Sequence, residues 1–347
     1  MAAIGDALRT LRLARGFTGE HLAELIGVAQ PTVNRYEMNE RVPDEETLGK
    51  LAEALGVTED FLQHAGSLRG AMAVDAHMRR RASARAKEWR QLEARLNELR
   101  MRLSFLFEQV SLHADQIVPT FDPVDVSAAD AARLTRMQWR IPVGPIRNLT
   151  GWIEAAGCVV IVEDFGTARV DGLSQWVGDH PVVLLNERAP ADRRRWTLAH
   201  ELGHLCLHSE YIGTSPEDEA NGFAAEFLMP EEIIRPQLRN LTTGRLADLK
   251  RQWGTSMQAL VERAHQLRTI TATERTSLYK KFSRLGWRVR EPVSEELPLE
   301  VPHLTENVAT TLQSKGFSEQ EVAKMAGYRD VSLNTIICAE WPRLRAL

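Results

Sequence analysis

The sequence predicts a mainly helical α+β protein: an all-α N-terminal domain, a central domain with a small β-sheet, and a helical C-terminal tail. Three observations predict it. Residues 1–63 read as short amphipathic helices, several of them closed by glycine. Two stretches read as strands, Cys158–Val162 and Val182–Leu185. From Pro190 to about Leu285 the apolar spacing is helical again, and a few strands followed by helices is an α+β order. We divide the chain into 1–66, a linker and long helix at 67–118, a central domain at 119–286, and a tail at 287–347.

Ile4, Leu8 and Leu11 share one helix face, which Gly16 closes. Thr18 caps a second helix that ends at Gly27, a third runs from about Gln30 to Glu37, and a fourth ends at Gly56. A short fifth holds Phe61 and Leu62. A long helix is expected from about Met78 to His113. Trp89, Leu92, Leu96, Leu99, Leu103, Leu106 and Val110 form a heptad stripe along it, behind a basic stretch containing Arg79, Arg80, Arg81 and Arg85. The stripe packs on its own domain or forms a homodimer seam. Ser127, with Asp130 three residues on, opens another helix. In the tail, GFSEQEVAKMAG at 316–327 resembles GFTGEHLAELIG at 16–27. The tail is expected to be a small packing module, a decayed copy of that helical unit.

Composition narrows the class. The chain has 347 residues, 44% of them hydrophobic and 26% charged, the balance of a globular protein with real cores. The net charge of −4 excludes a polycation, so nucleic-acid binding must come from a local patch. Cys158, Cys206 and Cys338 lie far apart with no CxxC pair, which speaks against a disulfide scaffold or a cysteine metal site. The first helix lacks a long apolar core, so no signal peptide is expected. No apolar run reaches membrane-spanning length. A cytoplasmic protein without membrane contact is the expectation.

TLAHELGHLCLH, residues 197–208, carries the chemistry. On a helix His200 and His204 are one turn apart and project from one face, so two imidazoles can hold one zinc ion. Glu201 is displaced around the helix and can serve as base toward water without filling a metal position. His208 is too far from His200 to share the ion, since eight helical residues span ~12 Å, and is expected to be structural. The third ligand is sought in EDEANGFAAEFLMP, 217–230, a second helix behind Pro216. Glu217 in its first turn is the choice and Glu219 the rival. Asn221 would orient a ligand histidine. Ala220, Ala224 and Ala225 opposite Gly203 would let the two helices approach closely. Tyr211 and His180 are candidates for stabilising an oxyanion.

The run PVVLLN…RWTLAHELGHLCLH…EDEANGFAAEFLMP resembles the ImmA/IrrE metallopeptidases over roughly residues 120–235. The resemblance implies a zincin-like fold with one Zn2+ ion on His200, His204 and Glu217. It also implies a protein substrate, an XRE-type repressor whose cleavage switches stress or mobile-element genes. Val182–Leu185 would be the edge strand that binds extended substrate.

Residues 5–43 resemble the XRE (Cro/C1-type) helix-turn-helix family, which places the third helix in the major groove of double-stranded DNA. Gln30, Thr32, Asn34 and Arg35 would face bases, the amides suiting adenine and the guanidinium suiting guanine or phosphate. Arg9 and Arg41, with Arg12 and Arg15, would supply phosphate contacts. Ala29 stands where Ser or Thr usually caps, with Pro31 helping to start the helix. Acidic residues cluster after Pro43, so a protein-binding helical module stays open beside DNA binding. Together these features predict a DNA-binding regulator with a zinc metallopeptidase domain. The alternative is a ligand-sensing transcription factor whose zincin domain does not cleave peptides.

Overall fold

The computed structural model describes residues 4–67, 86–112, 114–168, 170–209 and 215–338. These form two compact units. The first combines the described parts of 4–67 and 86–112 with 303–338, and the second spans 114–302.

The first unit opens with five helices: α1 (Gly5–Ala14), α2 (Gly19–Ile26), α3 (Gln30–Glu37), α4 (Glu45–Leu55) and α5 (Glu59–Ser67). Local chemistry sets their ends. The Thr18 side chain accepts from the His21 amide, and Asp44 accepts from Thr47. Gly27 and Gly56 close α2 and α4 at φ of 73° and 67°, a conformation other residues adopt only with strain. As expected, Ala29 gives α3 no side-chain cap and Pro31 sits in its first turn. Leu8, Leu11, Leu22, Val33, Leu51, Leu55, Phe61 and Leu62 are fully enclosed and make one core.

A long helix, α6 (Ala86–Phe107), packs along α1 and adds Met101 to that core. The basic residues at 79–85 and the Trp89 side chain lie outside the described residues. Leu92, Leu96, Leu99, Leu103 and Leu106 of the stripe are all buried by this chain's own residues. These five described members of the stripe are thus spent on intramolecular packing.

The second unit begins with α7 (Ala128–Gln138) and α8 (Leu149–Ala155), then β1 (Val159–Glu163), β2 (Gly172–Val177) and β3 (His180–Asn186). Ser127 caps α7 through the Asp130 amide, as its spacing predicts. The sheet order is β1-β3-β2, with β1 parallel and β2 antiparallel to β3. This corrects the expectation for Val182–Leu185. That run is the centre of the sheet, and all four residues are buried. An unbroken apolar run is the pattern of a strand covered on both faces. The edge strands are β1 and β2, and the strand reading did not include β2.

Eight residues after β1, the Gly172–Asn186 hairpin leads into α9 (Ala191–Leu207) and α10 (Pro216–Leu228), followed by α11 (Glu231–Ile234), α12 (Thr243–Trp253), α13 (Met257–Gln266) and α14 (Ala272–Arg284). Val183 and Leu185 of β3, Leu198, Leu202 and Leu205 of α9, and Phe223 and Phe227 of α10 share one core with Trp139 and Trp253. Residues 287–302 belong to this unit rather than to the tail. Glu291 pairs with the fully buried Lys250 at 2.8 Å, and Glu300 pairs with Arg195 and accepts from the Thr150 amide.

The chain then returns to the first unit with α15 (Leu304–Ser314) and α16 (Glu319–Met325). Ser318 and Glu321 form a reciprocal capping box on α16. Where a third helix would complete the copy of the head, only a single 3-10 turn stands, Val331–Leu333. The tail is tied to the head by a bridge between Val57 and Tyr328, with Thr58 donating to the Gly327 carbonyl at 3.1 Å. A side chain on Gly327, at φ 75°, would strike the Phe61 ring.

Candidate functional site: a histidine–carboxylate cluster and an exposed recognition helix

His200, Glu201 and His204 lie on α9, and Glu217 in the first turn of α10 faces them. The two helices can lie this close because of Gly203. A Cβ there would come within 3.2 Å of the Ala220 backbone and 3.1 Å of Phe223. The small-residue seam expected at Gly203 and Ala220 is present.

His200 Nε2 and His204 Nε2 approach to 3.1 Å, and the Glu217 carboxylate stands 3.7 Å from the first and 3.6 Å from the second. These three donors converge within 4.8 Å of one another. Tetrahedral zinc with Zn–N near 2.0–2.1 Å places two ligand nitrogens about 3.3 Å apart, so the spacing fits one ion. The donor chemistry fits as well. Asn221 Oδ1 lies 3.1 Å from His200 Nδ1 and accepts its proton, which leaves a lone pair on His200 Nε2 facing the cluster. Glu219, the rival to Glu217, lies elsewhere: its carboxylate is 2.7 Å from His208 Nε2.

Glu201 is buried between α9 and β2. The Ser174 hydroxyl of β2 donates to its carboxylate at 2.6 Å. Burial pushes the Glu201 carboxyl above its ordinary pKa, partly opposed by His204 and by the Ser174 hydrogen bond. β2 is held against α9 by a second contact, Trp176 Nε1 to the Leu205 carbonyl at 3.3 Å.

Ser174 and its strand were missed from sequence. Their signal is the Gly178-Asp179 pair, a two-residue hairpin turn immediately before a strand. Of the two oxyanion candidates, Tyr211 lies outside the described residues. His180 pairs with Val177 at the hairpin end, three residues along β3 from Val183, the partner of Ser174, or about 10 Å.

In the head, Gln30, Asn34 and Arg35 are exposed on α3 and Thr32 is half-buried. Gln30 and Asn34 share a 3.2 Å hydrogen bond, as the one-turn spacing allows. Arg9 and Arg41 are exposed as well. Arg12 and Arg15 depart from expectation. Arg12 is paired with Glu37 and donates to the Phe17 carbonyl at 2.9 Å, while Arg15 is paired with Glu98 at 2.5 Å. Both guanidiniums serve the head's interior rather than its surface.

The second unit thus has the build of a helix-borne metal-site domain with a buried carboxylate and an edge strand, and the first that of a helix-turn-helix head. Residues 153–265 match the IrrE N-terminal-like domain family, and residues 8–62 match the Helix-turn-helix family. The chain therefore joins an XRE-type helix-turn-helix domain to an IrrE/ImmA-like domain of a metallopeptidase family. It is similar to the SPbeta prophage-derived HTH-type transcriptional regulator YonR of Bacillus subtilis, with 34% identity over 17% of this chain and 54% of that protein. It is also similar to the radiation response metalloproteases IrrE of Deinococcus radiodurans and Deinococcus deserti. The first shares 38% identity over 21% of this chain and 27% of its own length, the second 37% over 24% and 37%. The chain spans about half of the first relative and less than two fifths of the other two. Among the described residues no helix is long and apolar enough to cross a membrane.

Proposed function

We propose that this protein is a DNA-binding regulator whose second unit is a zinc metalloendopeptidase acting on a repressor-type protein. The observation that carries the reading is the convergence of His200, His204 and Glu217 beside the buried carboxylate of Glu201. His200, His204 and Glu217 hold one Zn2+ ion, and Asn221 orients His200. Zinc, when bound, supplies Lewis acidity toward water and a peptide carbonyl. Glu201 takes a proton from the attacking water and delivers it to the leaving amine. Ser174 holds that carboxylate on the side facing β2. An extended substrate segment adds to the free edge of β2, so that backbone pairing, largely indifferent to side chains, aligns the scissile bond.

In the head, Gln30, Thr32, Asn34 and Arg35 read bases in the major groove of an operator, and Arg9 and Arg41 contact phosphates. The IrrE relatives are named metalloproteases and YonR a transcriptional regulator, which supports reading the two units as a peptidase and a regulator's DNA-binding head; a cytoplasmic site of action is part of the proposal. The test is a gel time course of the full-length chain with zinc and an XRE-type repressor, beside Glu201→Gln. We expect cleavage by the unmodified chain and a 10²- to 10⁴-fold slower rate for the variant with zinc still bound. Zinc binding without cleavage of any repressor tried would favour the reading in which the second unit only senses a ligand.

A further inference from the structure

We propose that Glu219 and His208 are positioning residues for the metal site, fixing His204 in the tautomer that turns its Nε2 lone pair toward His200 and Glu217. The proposal rests on the reading of that cluster as a zinc site.

The geometry runs outward from the cluster in one line. His204 Nε2 faces His200 Nε2 at 3.1 Å, while its other ring nitrogen, Nδ1, lies 3.0 Å from His208 Nδ1. His208 Nε2 in turn lies 2.7 Å from the Glu219 carboxylate. An ionised carboxylate only accepts, so His208 Nε2 carries a proton. A neutral His208 then offers a lone pair at Nδ1, and His204 Nδ1 must donate to it. That leaves His204 Nε2 without a proton and able to ligate. Asn221 does the same for His200 in a single step. The two ligand histidines are therefore set by two separate devices, one amide and one carboxylate–histidine pair.

A packing role explains these residues less well. The His208 side chain is fully enclosed just past the end of α9, where an apolar residue would fill the space at lower desolvation cost. Both its ring nitrogens are instead engaged, one by the ligand histidine and one by an acid. Glu217 and Glu219, two positions apart on α10, take different jobs: the first meets both ligand histidines, the second meets His208. Partners of this kind orient ligand histidines, and their removal costs 10- to 100-fold in metal affinity.

The experiment uses the full-length chain and zinc alone, with affinity read by competition against a chromogenic chelator. The tautomer of His204 is read from imidazole ¹⁵N shifts of the metal-free protein. Glu219→Ala and His208→Ala should each weaken zinc binding 10- to 100-fold. His208→Ala should also let the other His204 tautomer appear. His208→Asn, whose side-chain oxygen takes the place of Nδ1 as acceptor, should restore most of the affinity. If His208→Ala does not fold, Glu219→Ala decides alone, because Glu219 is partly exposed. Wild-type affinity in Glu219→Ala and His208→Ala would overturn the proposal. Weakened binding with an unchanged His204 tautomer would overturn it too, since that is what loosened packing produces. His204→Ala separates the two levels. If it loses zinc while the other variants keep it, the relay alone falls; if it binds like wild type, the site reading falls with it.

Discussion

The two units each bury a cluster of charged or titratable groups, and they resolve the cost in opposite ways. In the first unit Glu98 on α6 meets Arg15, just past the end of α1, at 2.5 Å and Arg102 at 2.7 Å. Arg102 also donates to the Ala326 carbonyl at 3.0 Å, with its guanidinium carbon 3.7 Å from the centre of the Tyr328 ring. Each charge there has its partner in the chain, and the result ties α1, α6 and α16 together. In the second unit His200, His204 and Glu217 turn acceptors toward one point, and Glu201 lies beside them. A cluster neutralised internally is a fastener. A cluster of convergent acceptors is the arrangement a cation would complete, as proposed for this one.

The sharpest way to break this comparison is to remove Glu98. Glu98→Ala strands Arg102, one of the largest fully buried side chains in the chain, without its counter-charge. Taking one partner from a buried pair costs about 3–5 kcal/mol. We expect the first unit to unfold at lower urea and operator binding to fall with it. Zinc affinity should not change. Loss of zinc affinity in Glu98→Ala would show that the two clusters are not independent.

Acid should separate the clusters by a smaller margin. Burial alone would raise the Glu98 carboxyl, but Arg102 and Arg15 override it and hold it at about 2. The folded value lies below the ordinary carboxylate range near ~4.3, so its contribution to stability is complete above that pH. It is lost as pH falls from there toward 2, and amounts to at most about 3 kcal/mol. Unfolding of the first unit, followed by its helical signal between pH 5 and 2, should therefore soften in acid. Glu98→Gln should remove most of that dependence. An equal acid dependence in Glu98→Gln would assign the effect to other carboxylates.

How far these features could be read from sequence depends on how local their causes are. The ends of α2, α3 and α7 followed from Thr18, Pro31 and Ser127, because a cap is decided within four residues. His200, His204 and the seam at Gly203 followed from helical spacing, which carries a site when one helix bears most of it. The centre of the sheet was taken for its edge on the strength of the family resemblance, although Val182–Leu185 is apolar throughout, and strand order is a long-range property. Ser174 was lost with the strand that bears it. Arg12 and Arg15 read as phosphate contacts because a basic helix face gives no hint that Glu37 and Glu98, 25 and 83 positions on, will claim them. His208 read as structural because eight helical residues set it too far from His200 to share an ion, and its contact with Glu219 on the next helix is non-local.

The arginines of the head permit the finest test, since it compares charges on a single helix. Arg9 and Arg12 both stand on α1. Arg9 is exposed, while Arg12 is held by Glu37 and the Phe17 carbonyl. An exposed arginine on a phosphate releases condensed counterions, and each such contact steepens the dependence of log affinity on log salt by about 0.9. Arg9→Ala should reduce that slope by about this amount and weaken all DNA sequences alike, leaving urea stability within about 0.5 kcal/mol. Arg12→Ala should do the reverse. Its loss frees Glu37 at the end of α3, so stability falls while the salt slope holds. Titrations of a duplex at four salt concentrations, with urea melts of the same samples, measure both quantities. If Arg12→Ala flattens the slope and Arg9→Ala does not, the surface that meets phosphate is not the one carrying Arg9, and α3 docks in another orientation.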